Sequence, residues 1–258
     1  MEIIILPSPE EVAVVAAERV AEIVRVKPRA VLGLATGSSP LGLYAQLARQ
    51  VATGELDLSD AHGFALDEYV GIPLTHPESY AAVIRRDVVE PLKMTPDRVS
   101  VPDGRAADLA AACAEFEAAI VAAGGVDIQI LGVGANGHIG FNEPTSSFSS
   151  RTRVKTLAPN TIADNARFFD APADVPIHCL TQGLGTIMEA RELLLVATGA
   201  SKSDAIAAIV EGPVSSMWPG SILQHHGRAV VVLDEAAASK LALREYYRHT
   251  YAHKALVS

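Results

Sequence analysis

The feature that most constrains this chain is a series of five short, β-rich apolar runs separated by helical stretches. They are Ile3-Ile4-Ile5-Leu6, Val31-Leu32-Gly33-Leu34-Ala35, Val126-Asp127-Ile128-Gln129-Ile130-Leu131, Leu193-Leu194-Leu195-Val196 and Ala229-Val230-Val231-Val232-Leu233. Near-continuous apolarity, rather than strict alternation, marks strands buried on both faces, and such strands are mostly parallel. Helix punctuation lies between them. In Ser8-Pro9-Glu10-Glu11 a serine N-cap, a proline at the first helical position and a glutamate at the third coincide, and the alanine-rich residues 106–123 read as a helix by propensity. Strand, helix, strand order along the whole chain predicts an α/β fold: a three-layer α/β/α sandwich with a mostly parallel, twisted, Rossmann-like sheet. In such folds ligands sit beyond the carboxyl ends of the strands.

The 258 residues contain no internal repeat, low-complexity tract or long Pro/Gly linker, so a single α/β catalytic domain spanning residues 1–258 is expected. The least patterned region, residues 141–182, is dense in Ser, Thr, Asn and Pro. A stretch of that length inside a compact domain is more often functional than passive, which predicts a lid at about residues 145–182.

Charge narrows the partners. With 30 acidic and 21 basic side chains the net charge is −9, which argues against nucleic acid and an anionic membrane surface. No apolar run approaches the ~18–20 residues of a membrane span. A small molecule or a protein is the expected partner. Cys113 and Cys179 lack C-x-x-C spacing, and the opening residues lack the basic and apolar segments of a secretory signal, so a cytoplasmic location is expected.

Three loops can carry chemistry. Thr36-Gly37-Ser38-Ser39-Pro40 follows the second apolar run and opens a helix, where backbone N–H groups and hydroxyls make an anion site. It lacks the lysine of a P-loop and the glycine spacing of a dinucleotide fingerprint. Phe64-Ala65-Leu66-Asp67-Glu68 puts two acids at a strand's carboxyl end, and neighbouring side chains diverge, so at most one faces a ligand. The run from Gly132 to Pro144 is the most informative: four glycines in nine residues surround Asn136 and His138, with Glu143 just beyond. An orienting amide, an imidazole and a carboxylate together form an acid–base set.

Basic residues stand out against the acidic background. Arg151, Arg153 and Lys155 fall within five residues, Arg167 stands apart, and Lys202 opens a helix. A lysine there runs against the helix macrodipole and makes more sense beside a bound anion. His225-His226 lacks the i, i+4 spacing of a helical ligand pair, so no metal site is expected.

The residues just described resemble the glucosamine-6-phosphate deaminase (glucosamine-6-phosphate isomerase) family. The likeness runs through residues 36–44, 66–71, 132–144, 150–157 and 166–169, then Gly199-Ala200-Ser201-Lys202, Val210-Glu211-Gly212-Pro213 and Met217-Trp218. Its most specific part is Gly137-His138-Ile139-Gly140-Phe141-Asn142-Glu143-Pro144, because the related 6-phosphogluconolactonases share the Gly-His loop without the Phe-Asn-Glu-Pro continuation. The resemblance implies conversion of glucosamine 6-phosphate and water into fructose 6-phosphate and ammonia, a hydrolase of N-acetylglucosamine catabolism with no cofactor and no metal. It implies that Asp67 moves the proton between C2 and C1, that His138 opens the sugar ring, and that Glu143 orients His138 and stabilises its charge. The phosphate would lie against Gly37, Ser38 and Ser39 with Arg167 and Lys202.

Asn136 stands where many members of the family carry aspartate, which leaves Glu143 as the sole carboxylate expected beside His138 and gives Asn136 an orienting role. The resemblance also implies candidate effector residues at Ser146, Arg153, Lys155 and Thr156, and leaves assembly open between a monomer and a homo-oligomeric ring. Two rivals follow from the same fold: a lactonase or isomerase for another sugar phosphate, and a sugar-phosphate sensor. A chain that starts at its first strand and keeps Asp67, His138 and Glu143 is expected to be the enzyme.

Overall fold

The computed structural model describes residues 1–169 and 171–254. The apolar runs become strands and the segments between them helices. The order is β1 (Glu2–Leu6), α1 (Pro9–Val26), β2 (Val31–Leu34), α2 (Leu41–Thr53), β3 (His62–Ala65), β4 (Asp67–Tyr69), α3 (Tyr80–Ile84), β5 (Val99–Ser100) and α4 (Leu109–Ala122). There follow β6 (Ile128–Leu131), β7 (Arg153–Thr156), α5 (Pro159–Asn165), β8 (His178–Thr181), α6 (Leu184–Met188), β9 (Leu193–Ala197), α7 (Ser203–Val210), β10 (Ala229–Asp234) and α8 (Arg244–Ala252). The first helix starts where its sequence says it should: the Ser8 hydroxyl accepts the Glu11 N–H at 3.2 Å, with Pro9 at the first position. In the alanine-rich segment the helix begins a few residues later than propensity indicates, because the Asp108 carboxylate accepts from the N–H groups of Ala110 and Ala111.

Seven strands form one parallel sheet in the order β1-β10-β9-β6-β2-β3-β5, flanked by helices as a three-layer sandwich. Every residue of β2, β6, β9 and β10 is buried, which is why these strands read as apolar runs. Fully burying one such Val, Leu or Ile side chain contributes about 1.5–3 kcal/mol. The order also locates the site. From β2 the chain builds outward through β3 and β5, whereas β6, β9 and β10 extend the other way. The crevice between the carboxyl ends of β2 and β6 is therefore the topological switch point.

The region read as least patterned is not an irregular loop. It contains β7, α5 and β8, and β4, β8 and β7 form a second, antiparallel sheet with Asp67 opposite Thr181 and Arg153 opposite Thr181 on the other side. A separate apolar cluster of Tyr69, Ile72, Phe141, Leu157, Val175 and Cys179 supports it. Its strands escaped the sequence pattern because β7 alternates half-buried and exposed residues and reads as polar. No helix among the described residues is long and apolar enough to cross a membrane.

Candidate active site

The switch-point crevice opens as a cleft of about 340 Å³, within the range typical of small-ligand sites. It is lined by residues 35–39 after β2, the glycine-rich loop after β6, Asp67 from β4, Tyr80, residues of α5 with Arg167, and Lys202 before α7. The structure thus brings Gly37, Ser38, Ser39, Asp67, His138, Arg167 and Lys202 into one cavity. Asn136 and Glu143 stand directly behind His138.

The imidazole is held by a relay. Asn136 Nδ2 donates to Glu143 Oε2 at 2.8 Å, and Asn136 Oδ1 lies 2.6 Å from His138 Nδ1. An ionised carboxylate can only accept, so the amide nitrogen must face Glu143 and the amide oxygen must face the ring. His138 Nδ1 therefore carries the proton, and Nε2 is the nitrogen left for acid–base work. The direct Nδ1 to Glu143 Oε2 separation is 3.6 Å, so Glu143 acts on the ring chiefly through Asn136. The glycines serve this geometry. A Cβ at Gly134 would lie 2.1 Å from His138 Cε1, and Gly137 has φ of +77° with the Trp218 ring against it.

Two carboxylates in the site have opposite proton affinities. Burial pushes the Asp67 carboxyl up to about 8, Glu68 adds to this, and Thr181 opposes it. Glu143 is also driven up by burial, but the nearby His138 ring together with hydrogen bonds from Thr161 and Asn136 outweighs this and holds it down at about 2. Its Oε1 accepts from Thr161 Oγ1 at 2.5 Å and from the Ala158 N–H at 3.2 Å. Glu68, the neighbour of Asp67, turns away from the cleft and accepts from the N–H groups of Tyr80 and Ala81, each at 2.9 Å.

The cationic side of the cleft is built by α5 and α7. Lys202 is the N-cap residue of α7, where it lowers its proton affinity by burial, with Arg167 adding to this and Asp164 opposing it. Arg167 lies in the turn after α5, its Cζ 4.7 Å from the Phe168 ring centroid. Together with the start of α2 these groups suit an anion.

Sequence reasoning missed Tyr80, Thr161, Asp164 and Asn165, all of which line the cleft. The phenol of Tyr80 is driven well up by burial, so it stays a hydrogen-bond donor. A signal was present at this position, since the Ser79 hydroxyl accepts from the Ala82 N–H and caps α3. The four effector candidates do not share one face. Arg153 and Lys155 lie on one side of β7 and Thr156 on the other, beside His178 at 3.2 Å, while Ser146 is buried with its hydroxyl unpaired among the described residues. His226 is structural: its Nε2 lies 2.8 Å from Ala190 O, and its Nδ1 accepts from the Arg228 N–H. Among the described residues no group of three or more His, Cys, Asp or Glu is placed to hold a metal ion.

A switch-point cleft that pairs an oriented imidazole with carboxylates of opposed proton affinity and a cationic wall defines an acid–base site for a small anionic ligand. Residues 8–232 match the family model described as glucosamine-6-phosphate isomerases/6-phosphogluconolactonase, and the chain belongs to that family. It is 58% identical over 254 residues to a glucosamine-6-phosphate deaminase of Pseudarthrobacter chlorophenolicus, covering 98% of each chain. A protein of the same name from Streptomyces coelicolor is 55% identical over 255 residues, again 98% of each. Among solved structures, a monomeric glucosamine-6-phosphate deaminase superposes with a TM-score of 0.90 at 40% identity, covering 93% of this chain and 99% of that one. The 6-phosphogluconolactonase of Trypanosoma cruzi shares the fold, with a TM-score of 0.73 at 20% identity over 93% of this chain and 97% of that one.

Proposed function

We propose that this chain converts glucosamine 6-phosphate and water into fructose 6-phosphate and ammonia, within the breakdown of amino sugars. The observation that carries the reading is the presence of two separate proton-transfer groups in one cleft, the Nε2 of His138 and the carboxyl of Asp67. The reaction needs both. Nε2 takes the anomeric hydroxyl proton and returns one to the ring oxygen, giving the open-chain aldose. Asp67 as carboxylate takes the C2 proton and delivers it to C1, giving the ketose imine, to which water adds at C2 with expulsion of ammonia. A carboxyl held near 8 is matched to proton exchange with a carbon acid close to neutral pH. Fixed dipoles in a dry cleft favour the enediol-like intermediate, and the phosphate on the cationic wall provides binding energy remote from the reacting carbons.

Lactone hydrolysis is the alternative within the family, but one base for water suffices there and a second, proton-holding acid has no task. The net reaction adds water and releases ammonia, which supports the hydrolase label. A cytoplasmic setting suits a sugar phosphate substrate that does not cross membranes unaided. Incubation with glucosamine 6-phosphate should release ammonia stoichiometrically with fructose 6-phosphate. Turnover of 6-phosphogluconolactone without ammonia from the amino sugar would overturn the reading, and tight sugar phosphate binding with no turnover would return the chain to the class of sensors.

A further inference from the structure

Glu143 serves two parts of the cleft at once. Its Oε2 accepts from Asn136, which holds the His138 ring, while its Oε1 accepts from the Thr161 hydroxyl and the Ala158 N–H at the start of α5. The same helix leads through Asp164 and Asn165 into the turn that carries Arg167, and these residues line the cleft with Lys202. One carboxylate therefore joins the element that meets the anion to the ring that moves the proton. Thr161 is the side chain, beside the Ala158 backbone N–H, through which α5 grips it. Thr161 is 4% exposed, so water has little access to replace that hydrogen bond if it is lost.

We propose that Thr161 is a positioning residue that couples phosphate binding to ring opening: an anion on Arg167 and Lys202 seats α5, and Thr161 transmits that seating through Glu143 and Asn136 to His138. This rests on the deaminase reading for its substrate, although the coupling itself is a property of the hydrogen-bond chain. It gives the enzyme a means of rejecting unphosphorylated sugars that lies in the alignment of the imidazole rather than in affinity alone. Thr161 lines the cleft, but its hydroxyl is committed to Glu143. The titratable groups that face Glu143 are His138 from the loop after β6 and Cys179 from β8.

Two measurements test this. In steady-state ammonia release between pH 5 and pH 9, Thr161→Val should lower kcat about tenfold with KM within about twofold, the pattern of a lost interaction specific to the reacting state. Its acidic limb should also move to lower pH, because a ring less firmly held by the Glu143–Asn136 relay feels less of the negative charge that favours its protonated form. Thr161→Ser, which keeps the hydroxyl, should restore both. A Thr161→Val enzyme with wild-type kcat and pH profile, or a Thr161→Ser enzyme as impaired as the valine variant, would overturn the proposal. Should the valine variant lose its cooperative melting transition, Thr161→Ala carries the same expectations.

The second measurement needs no turnover. Inorganic phosphate, titrated into the ligand-free protein, should shift the ring nitrogen resonances of His138, assigned by their loss in His138→Gln. That shift should fall at least threefold in Thr161→Val. Equal shifts in both proteins would sink the coupling even if the deaminase activity stands, and absent ammonia release from the wild type would sink the activity while leaving the coupling to be decided by the phosphate titration.

Discussion

The junction of β3 with β4 and the loop after β6 each present one carboxylate to the same neighbourhood, and each carboxylate exposes 5% of its surface. Asp67 is nonetheless pushed up to about 8, while Glu143 is held at about 2. Burial raises both. Donors make the difference: Glu143 receives hydrogen bonds from Asn136, Thr161 and Ala158, whereas Asp67 has chiefly Thr181 against burial and the Glu68 charge. Divergent environments of this kind assign roles, with one acid exchanging protons near neutral pH and the other remaining a fixed negative charge. On the proposed function, the fixed charge would orient and stabilise the imidazole through the intervening amide, and the mobile proton would serve the carbon chemistry.

The contrast can be broken most severely at Asp67. Asp67→Asn should lower kcat for ammonia release by about 10²–10⁴-fold, the range for loss of a general acid–base group, with sugar phosphate binding by calorimetry largely preserved. Near-normal turnover would remove Asp67 as the proton carrier. A smaller effect is expected from Asn136→Asp, which sets a second carboxylate beside Glu143 and next to the ring. Glu143 then loses a donor and gains a like charge, so its affinity for a proton rises toward that of Asp67. The acidic limb of the kcat/KM profile should move upward by up to about one pH unit, since an added negative charge favours the protonated imidazole. An unmoved limb would mean that the relay does not set the charge on the ring.

The smallest effect is on stability. Asp67 keeps its proton up to about 8 when folded and only to about 3.8 when unfolded. Below that lower value both states are protonated and the stability associated with this group is complete. As pH rises through the window the unfolded chain binds fewer protons than the folded one, so wild-type stability declines until about pH 8, by at most ~1.4 kcal/mol per pH unit. Asp67→Asn removes that slope. The melting temperature of the variant relative to wild type should climb by up to roughly 10 °C between pH 5 and pH 8 and level off above. A constant difference across that range would show that Asp67 ionises normally in the folded protein.

Much of this arrangement was legible in the chain because buried parallel strands announce themselves. The runs at β1, β2, β6, β9 and β10 are apolar throughout, the Ser8 cap is local, and the glycine spacing around His138 demands a close backbone. With the switch point located, Gly37, Ser38, Ser39, Asp67, His138 and Lys202 fall into one cleft. What stayed hidden depends on partners remote in sequence. β5 is short and carries Ser100, so it resembles a loop until β3 pairs with it, while β3 showed only its carboxyl end at Phe64 and Ala65 and its start at His62 and Gly63 emerges through pairing with β2. Thr161 and Asn165 line the cleft only because the second sheet folds α5 over the crevice, and Tyr80 only because α3 packs on β4; no local periodicity records either placement. The part of Asn136 as an intermediary, rather than a bystander beside Glu143, likewise needed the 2.6 Å and 2.8 Å contacts on its two ends.

The pairing of β1 with β10 has a consequence for how the protein comes into being. Glu2 lies beside Val230 in the sheet, and Lys254 reaches Glu2 at 2.8 Å. During synthesis β1 must therefore wait for β10, with its apolar residues unpartnered while the chain between the two strands is being made. Contacts so distant in sequence slow folding, because a very long loop closes before they repay its entropy. Until then Ile3, Ile4 and Ile5 form a sticky segment, flanked by Glu2 on one side and the acidic start of α1 on the other. Those charges stand where they can keep the waiting strand from pairing with a neighbour.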